Sequence, residues 1–426
     1  MSSIFGLLLA IDLMYIRSNK KRRNNMEATN KNGTDLGAMM ADVFYNMAEQ
    51  KGMRKCKRSN LCNKFFKGEW NLSGAHPHLA GAMFSAEPTA KDSIVLVDQV
   101  ARRDDGGKVG DDTHLQQFGM AVIGGFGHFE NEADKRDAVH FYLQTGLDYL
   151  QTVGIDKEKL IISVCAGGNY LGQNFDMDKD TYDILRSLGV NEKNIVKNKG
   201  RMNFMLSNGL DRYSGYNIEF YVEHKGKLIE IGSSNIYEYL NKIDHLHKTV
   251  NKGVGVGFGL ERLEMIRRNK KSVQELPYYQ NCKDRFQEAL GYNNAQMGMI
   301  ADNTAIIADS ARLLTMVLND GQTFLKDDQT SSKAKSALAG AASAHAFIDL
   351  DPEKSAEITK DELKKLFADP VYQVDISDLA FKTYEMALVH EWSKKLGKTT
   401  THGMGNQGHN EFLKNVHKYA EEELQK

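Results

Sequence analysis

The stretch Gly253-Val-Gly-Val-Gly-Phe-Gly-Leu-Glu-Arg-Leu-Glu-Met-Ile266 is the most informative part of the sequence, because its residue pattern changes halfway. Glycines alternate with apolar residues over 253–259, which predicts a strand that a flat ligand can approach closely, since no Cβ blocks it. The following apolar spacing predicts a helix. Arg262 lies near the start of that helix, where its planar donors could pair with a phosphate. The plainer interpretation is a close-packed strand–helix junction with Arg262 on the surface.

The rest of the chain predicts an α+β fold. Short apolar runs predict strands at Ile94–Val97, Phe118–Ile123, Leu160–Val164, Ile218–Val222, Leu228–Ile231 and Val254–Phe258. Helical spacing predicts helices at Leu36–Gly52, Asn131–Thr152, Leu260–Ile266, Met299–Leu318 and Leu379–Leu396. We therefore expect an antiparallel sheet flanked by helices, followed by an all-helical domain. The expected boundaries are an extension at 1–35, a catalytic domain at 36–272 and a helical domain at 273–426.

Composition restricts the classes of function. The chain has 426 residues and a formal net charge of -1, so a strongly basic surface for DNA or RNA is not expected and any RNA contact needs a local patch. The four cysteines, Cys56, Cys62, Cys165 and Cys282, form no CxxC pair, which argues against a zinc ribbon or a redox motif. Scattered cysteines are typical of a reducing compartment, and the expected location is the cytoplasm.

The N-terminal segment is apolar over Ile4–Ile16, apart from Asp12, and a basic cluster follows at 17–23. A membrane span needs about 20 apolar residues, so no stable span is expected. A cleaved signal would carry its basic residues before the apolar run. A short signal anchor is an alternative. We favour an unstructured extension, or translation from an upstream start codon with Met26 as the natural start.

Several segments together resemble one enzyme family. The stretch ending in Gly259-Leu-Glu-Arg262 resembles motif 3 of class II aminoacyl-tRNA synthetases, in the form found in alanyl-tRNA synthetase. Val97–Arg103 and Phe118–Phe129 are similar to the two strands of motif 2. Gly215–Tyr221, Ile229–Ile231 and 307–321 follow in the family's order, and the resemblance covers about residues 36–340. Six modest matches in the right order are hard to obtain by chance.

The resemblance implies that the chain binds ATP and activates an amino acid, or a close analogue, as its adenylate. Both reactants are anions, so the site must supply positive charge and align them. The resemblance assigns Arg103 to the α-phosphate, where strand register favours it over Arg102, and Arg262 to the γ-phosphate. Gly257 and Gly259 are expected to lie against ATP. Glu219 and Glu230 are candidate ligands for Mg²⁺, although alternating charges on a strand usually face water.

Three positions depart from the family in the expected substrate pocket. Gly255 stands where the family has an aspartate that pairs with the substrate ammonium. Met205 stands in place of an aromatic residue, and Ser233 in place of an asparagine. An unpaired buried ammonium is costly. Either another acid replaces the aspartate or the substrate is not an ordinary α-amino acid, so the sequence does not name the substrate.

The expected acceptor is tRNA, by resemblance only. The segment that corresponds to an arginine-rich helix of the family keeps only Lys333 and Lys335 over 331–344, and phosphate contacts supply much of the affinity for nucleic acid. Two alternatives therefore stay open. One is an adenylating ligase whose acceptor is a small molecule or a carrier protein. The other is a catalytically silent paralog that binds a partner or senses nucleotide. The oligomeric state is not predicted.

Overall fold

The structure, a computed structural model, describes residues 35–61, 76–199, 203–205, 212–242, 244–322, 329–348 and 350–396. The chain divides into two compact units. The first, here called the sheet unit, comprises Met1–Cys56, His78–Val97 and Ala121–Asn269. The second, the helical unit, comprises Lys57–Pro77, Asp98–Met120 and Lys270–Lys426. The domain boundaries expected at residues 35 and 272 stay predictions.

The strands are β1 (Arg54–Lys55), β2 (Asp92–Ala101), β3 (Gln117–His128), β4 (Leu160–Cys165), β5 (Gly168–Tyr170), β6 (Gln173–Phe175), β7 (Ile195–Asn198), β8 (Phe204–Met205), β9 (Arg212–His224), β10 (Lys227–Asn241) and β11 (Leu246–Gly259). Their order in the main sheet is β1-β2-β3-β11-β10-β9-β4-β7, and β8 pairs with β9. The pairs β11–β10, β10–β9 and β9–β4 are antiparallel. The antiparallel arrangement expected from the sequence holds for these central pairs, but the outer pairs β1–β2 and β4–β7 are parallel, so the sheet is mixed.

The helices are α1 (Leu36–Gln50), α2 (His76–Met83), α3 (Glu132–Thr152), α4 (Lys179–Ser187), α5 (Leu260–Arg267), α6 (Pro277–Leu290), α7 (Asn294–Met299), α8 (Ala301–Asn319), α9 (Gln329–His345), α10 (Pro352–Leu366) and α11 (Asp378–Lys395). The predicted α+β fold, with a sheet flanked by helices and a helical C-terminal region, is thus confirmed. Within the described residues, none of these helices is both long and apolar enough to span a membrane.

A two-residue turn joins β9 to β10 and fixes how their residues pair. His224 pairs with Lys227, which leaves Lys225 and Gly226 as the turn. Both turn residues have positive φ, at 51° and 79°, as the tight hairpin turns that match strand twist require. In the sequence, Glu223-His-Lys-Gly226 between the apolar runs Ile218–Val222 and Leu228–Ile231 predicts a hairpin, and the structure confirms it. The turn sets the register of the long strands that follow.

One face of the sheet is apolar and covered by α3. Val256 and Phe258 of β11 point to this face, and Phe258 lies 5.6 Å from Phe220 of β9 between ring centroids. Gly146 of α3 lets the helix approach, because a Cβ there would lie 3.0 Å from Val256 Cγ1. Tyr149 of the same helix stacks obliquely on Phe258 with ring centroids 5.6 Å apart. The other face therefore carries the alternate, mostly polar residues.

The helical unit contains a buried polar network. Asp309 of α8 accepts a hydrogen bond from the Gln116 backbone N–H at 2.9 Å and another from the Tyr279 hydroxyl at 3.2 Å. Arg312, one turn further along α8, donates to Gln99 Oε1 at 3.0 Å. Burial raises the pKa of Asp309 to about 6, and its hydrogen bonds and Arg312 oppose this rise. The network ties residues 98–120 to α6 and α8 within this unit.

Gly232 of β10 has no room for a side chain, so we predict that Gly232→Ala destabilises the sheet unit. A Cβ there would lie 2.2 Å from the Gly257 carbonyl oxygen and 2.6 Å from the Phe258 ring. Overpacking of this kind lowers the free energy of unfolding by about 1–3 kcal/mol. Gly81→Ala, at an exposed helical position with open space, should instead be neutral or stabilising by up to about 1 kcal/mol. Urea unfolding of both variants checks this, and a Gly232→Ala protein as stable as wild type would contradict it.

Burial lowers the pKa of His345 to about 4, against smaller opposing effects of the Leu350 backbone and the Asp351 carboxylate. The unfolded chain binds this proton with a pKa near 6.5, so protonation favours unfolding. Neutral His345 therefore makes its full contribution to the free energy of unfolding above pH 6.5, and this contribution is lost as the pH falls toward 4. Between pH 7 and pH 5 the wild type should lose about 2 kcal/mol of unfolding free energy relative to His345→Leu. Unfolding curves at the two pH values measure this, and parallel pH profiles would refute the assignment.

Candidate functional site

A row of four paired residues crosses the polar face of the sheet unit. Gly257 of β11 pairs with Ser233 of β10, Ser233 pairs with Glu219 of β9, and Glu219 pairs with Ser163 of β4. Directly paired residues point to the same face of a sheet. The row therefore places two of the predicted pocket and ATP residues, Gly257 and Ser233, beside the candidate metal ligand Glu219.

A second row lies two residues away on the same face. Gly255 pairs with Asn235, and Asn235 pairs with Asn217. The Asn217 amide donates a hydrogen bond to Glu219 Oε1, which links the two rows. Gly255, Asn235 and Ser233 are half-buried, so this part of the polar face is open to a ligand.

Asn203 links the two strands β4 and β9 that carry part of these rows. Its side chain is fully buried, and its Nδ2 donates to the Ser163 carbonyl at 3.0 Å, to Ser163 Oγ at 2.9 Å and to the Asn217 carbonyl at 2.9 Å. A single amide thus fixes β4 against β9. The neighbouring Met205, a predicted pocket residue, pairs with Gly215 through its backbone, but its side chain lies outside the described part of the structure.

A bulge in β10 brings Glu230 to the polar face. Glu230 pairs with Tyr221, whereas Gly232 pairs with Phe220, so Ile231 is an extra residue in the ladder. Without this bulge, strict alternation would place Glu230 on the same face as Gly232, the apolar one. Bulges commonly redirect side chains in this way near functional sites.

The two candidate metal ligands lie near one tyrosine hydroxyl. Burial raises the pKa of Tyr221, and the charges of Glu219 and Glu230 raise it further. Glu219 is buried, with only 8% of its surface exposed. Among the described residues, no group of three or more His, Cys, Asp or Glu side chains is placed to hold a metal ion. Two carboxylates suit Mg²⁺, which usually takes its remaining oxygens from substrate phosphates and water.

Arg262 faces the same corner of the site. It is the third residue of α5, and its Nη1 lies 3.1 Å from Glu230 Oε2 and donates to the Glu230 backbone oxygen at 2.9 Å. The side chains are 15% and 29% exposed, so this ion pair is partly shielded from water. Gly259 begins the helix as its N-cap residue, without a side chain to cap it. The structure thus brings together Arg262 and Glu230, two residues singled out from the sequence.

Gly255 is not required by packing within the protein. A Cβ there would meet only ordinary contacts, the nearest being the Ile123 carbonyl oxygen at 3.4 Å. At Gly253, by contrast, a Cβ would lie 2.1 Å from the Phe126 ring. The missing side chain at 255 therefore leaves free space above the polar face, at the position where the family that the sequence resembles carries an aspartate.

Arg103 lies beyond the end of β2, at the first residue of a short 3-10 helix over Arg103–Lys108. Arg102 precedes this helix, and its backbone N–H donates to the Gln116 carbonyl at 2.8 Å. Because neither arginine belongs to the strand, strand alternation does not choose between them. The Arg103 side chain lies outside the described atoms, and the residue belongs to the helical unit, so its role on the α-phosphate stays a prediction.

Sequence reasoning missed several residues of this face. Tyr221, Asn217 and Asn235 all point to it, and Asn203 joins the strands β4 and β9 that build it. The alternation Asn217-Ile-Glu-Phe-Tyr221 was the available signal, because its odd positions are polar and its even positions apolar. The face on which Glu230 lies could not be predicted in this way, because the alternation of polar and apolar residues does not reveal a bulge.

No protein-family model matches the chain, and no curated protein matches it. Among solved structures, the chain is similar to PylSc of Desulfitobacterium hafniense, a pyrrolysyl-tRNA synthetase, with 16% identity over 61% of this chain and 78% of that one, at a TM-score of 0.31. A second structure of pyrrolysyl-tRNA synthetase from that organism has 14% identity over 63% and 81%, also at 0.31. Neither is an alanyl-tRNA synthetase, so that finer resemblance stays a prediction. At this TM-score the superposition carries no argument about activity.

The Arg262–Glu230 pair yields a measurable coupling. We predict that a double-mutant cycle with Arg262→Ala and Glu230→Ala gives a coupling energy of about 0.5–1 kcal/mol, because the pair is partly shielded from solvent. The matched control is the cycle of Arg54 and Asp92, whose side chains are 55% and 42% exposed. The Arg54–Asp92 pair should couple less strongly. Because it is more exposed to water, a smaller addition of salt should abolish its coupling energy. Urea unfolding measures both cycles, and zero coupling between Arg262 and Glu230 would contradict the geometry.

Proposed function

We propose that the chain activates an amino acid, or a close analogue, with ATP and forms the adenylate on the polar face of the sheet unit. The supporting observation is the arrangement around Arg262. Arg262 at a helix start, the glycine-rich strand before it and the Glu230 carboxylate at 3.1 Å form one corner of the polar face, and Glu219 and Glu230 both act on the Tyr221 hydroxyl. This agrees with the motif resemblance, which assigned these residues to ATP and Mg²⁺.

The reaction explains why these side chains are needed. A carboxylate oxygen of the substrate attacks the α-phosphorus of ATP, and the bond to the pyrophosphate oxygen breaks. Both partners are negatively charged, so fixed cations lower the barrier by holding them together and stabilising the developing charge. We assign Arg262 to the γ-phosphate and Arg103 to the α-phosphate. Gly257 and Gly259 carry no Cβ that would block the approach of a nucleotide; Gly259 is half-buried and Gly257 buried.

Glu230 gives Arg262 a partner when no nucleotide is bound. A buried guanidinium without a partner is unfavourable, and the pair at 3.1 Å avoids this. In the proposed cycle, the triphosphate replaces the Glu230 carboxylate as the partner of Arg262. Glu230 is then available, with Glu219, to hold Mg²⁺, which supplies further positive charge to the phosphates. The exchange keeps Arg262 paired with an anion before and after binding.

The substrate pocket is proposed at Gly255, Ser233 and Met205. With no acid at position 255, the nearest acidic group in the paired rows is Glu219. An amino group of the substrate would therefore meet amides and a hydroxyl before it meets a carboxylate. This favours an amino acid analogue, or a substrate whose amino group lies further from its carboxylate, over the ordinary substrate of the related family.

The default acceptor in the proposal is tRNA. Lys333 and Lys335 of α9 are only half-exposed, and both already interact with other residues. The small basic content of this segment instead favours a small molecule or a carrier protein as acceptor. A silent paralog that binds nucleotide without catalysis is the remaining candidate. A cytoplasmic location is proposed from the free, buried cysteines Cys56, Cys165 and Cys282.

ATP–pyrophosphate exchange with a panel of amino acids and analogues tests the proposal. We expect at least one compound to support exchange, and Arg262→Ala to reduce it by about 10²–10³-fold, because it removes a donor to the transition state. Arg103→Ala should have a similar effect. Arg186→Ala, at an exposed position of α4 paired with Glu192, is the control and should exchange as wild type does.

Three outcomes separate the candidates. Wild-type exchange in both Arg103→Ala and Arg262→Ala would refute the assigned site. Absence of exchange with every compound, together with ATP binding that depends on Arg262, would identify the silent paralog. Exchange without measurable tRNA binding would favour a ligase with another acceptor.

A further inference from the structure

Three lysines of the sheet unit, here called the lysine cluster, converge on the carboxylate of Glu132. Lys135 Nζ lies 2.6 Å from Glu132 Oε2. Lys248 Nζ and Lys252 Nζ lie 3.8 Å and 3.3 Å from Glu132 Oε1. Lys135 belongs to α3 and the other two lysines belong to β11, so the helix and the strand must both be in place to form the cluster. None of the residues assigned to adenylation belongs to it.

Glu238 is a second carboxylate of this group, and it is fixed by burial. Its Oε1 lies 3.0 Å from Lys135 Nζ and 3.7 Å from Lys252 Nζ, and its side chain is only 3% exposed. Three ammonium groups therefore face two carboxylates within ion-pair distance. Asp178 acts on Lys135 from outside this distance, and burial raises the pKa of Asp178, which disfavours its charged form. The lysine cluster thus keeps an excess of positive charge.

Glu132 can leave the cluster at small cost, although its surroundings are strongly positive. Its side chain is 61% exposed, and it is the first residue of α3, so its carboxylate can turn into water. Exposed ion pairs contribute little to stability, because water already solvates both charges. The hydrogen bonds and charges of Lys135 and Lys252 nevertheless lower the pKa of Glu132 to about 2, against an opposing effect of burial. Glu132 therefore occupies a position that attracts anions.

A phosphate monoester fits this position better than a carboxylate does. It carries two negative charges above its second pKa of about 6, and it has three terminal oxygens, one for each ammonium group. A carboxylate has two oxygens, so Lys248 and Lys252 must share Glu132 Oε1. With Glu132 turned away, a phosphate dianion and Glu238 would balance the three lysines. The positive end of the α3 dipole favours an anion at the same point.

A cavity of about 300 Å³ beside Glu132 gives room for the rest of such a molecule. Glu132, Lys135 and Lys248 line it, and Val139 and Ile236 supply an apolar wall. The phosphate itself replaces a carboxylate that is already exposed to water. The donors of the lysine cluster can therefore be reached from solvent once Glu132 turns aside.

We propose that the lysine cluster binds the phosphate group of a small phosphate monoester in exchange for the Glu132 carboxylate. Each of the three lysines donates to one terminal oxygen, while Glu238 stays in place and orients Lys135 and Lys252. Glu132 acts as an internal competitor that sets the affinity. This site is separate from the proposed adenylation site and does not rest on it.

Titration calorimetry of the full chain with methyl phosphate, dimethyl phosphate and acetate at about pH 8 tests the proposal. Methyl phosphate is a dianion at this pH, whereas the other two probes are monoanions. Saturable binding is expected for methyl phosphate. Dimethyl phosphate and acetate should bind at least about tenfold more weakly, because they carry one charge fewer toward the three lysines. Equal affinities for methyl phosphate and dimethyl phosphate would overturn the assignment to a monoester.

Glu132→Gln provides a test in which binding should become stronger. The variant removes the competing charge and keeps the size of the side chain, so methyl phosphate should bind about fivefold more tightly. The matched control is Glu192→Gln, because the Glu192 side chain is 62% exposed and lies 3.5 Å from a single arginine, Arg186. This control should leave the affinity unchanged. Binding that is no tighter in Glu132→Gln, or absent from both this variant and the wild type, would refute the proposal.

Two further variants locate the bound phosphate. Lys248→Gln changes a side chain that is 59% exposed, so the fold should persist while methyl phosphate binds about fivefold more weakly. Arg262→Ala should leave methyl phosphate binding unchanged, because Arg262 belongs to the proposed adenylation site. Unchanged affinity in Lys248→Gln, or lost binding in Arg262→Ala, would show that the phosphate binds elsewhere and would contradict the proposed site.

Discussion

The pairing of β9, β10 and β11 is the constraint on which the site depends. Because paired residues share a face, the register sends Val256 and Phe258 toward α3 and sends Gly257 to the opposite face, beside Ser233. The same ladder therefore builds the core and the site. A shift of one residue would bury the polar row and expose the aromatic one, which makes the register strongly determined.

The bulge at Ile231 modifies this constraint at one point. It turns Glu230 to the polar face, where the carboxylate meets Arg262 and lies near Tyr221. The resulting pair neutralises a partly buried guanidinium and places a cation and a carboxylate side by side on the polar face. A cation beside a carboxylate suits an anionic ligand that carries a metal ion. The guanidinium can pair with the anionic groups of the ligand and the carboxylate with the metal, so no charge is left without a partner.

The two faces of the sheet offer different chemistry. The polar face is open, glycine-rich and carries the groups assigned to nucleotide binding. The covered face is apolar, with Val256 and Phe258 buried against α3. One sheet can carry both faces because successive side chains of a strand point in opposite directions, so neighbours in the chain contact different surroundings.

The sequence by itself determined the element types and much of the fold class. The alternating glycines before Leu260, the hairpin signal at 223–226 and the long apolar periodicity of α3 and α8 are local patterns, and local patterns follow backbone geometry. It also singled out Arg262 and Glu219. Only the tertiary structure decided that Glu230 faces Arg262, since a bulge depends on the partner strand, and that Asn203 joins β4 to β9, since these residues are distant in the chain.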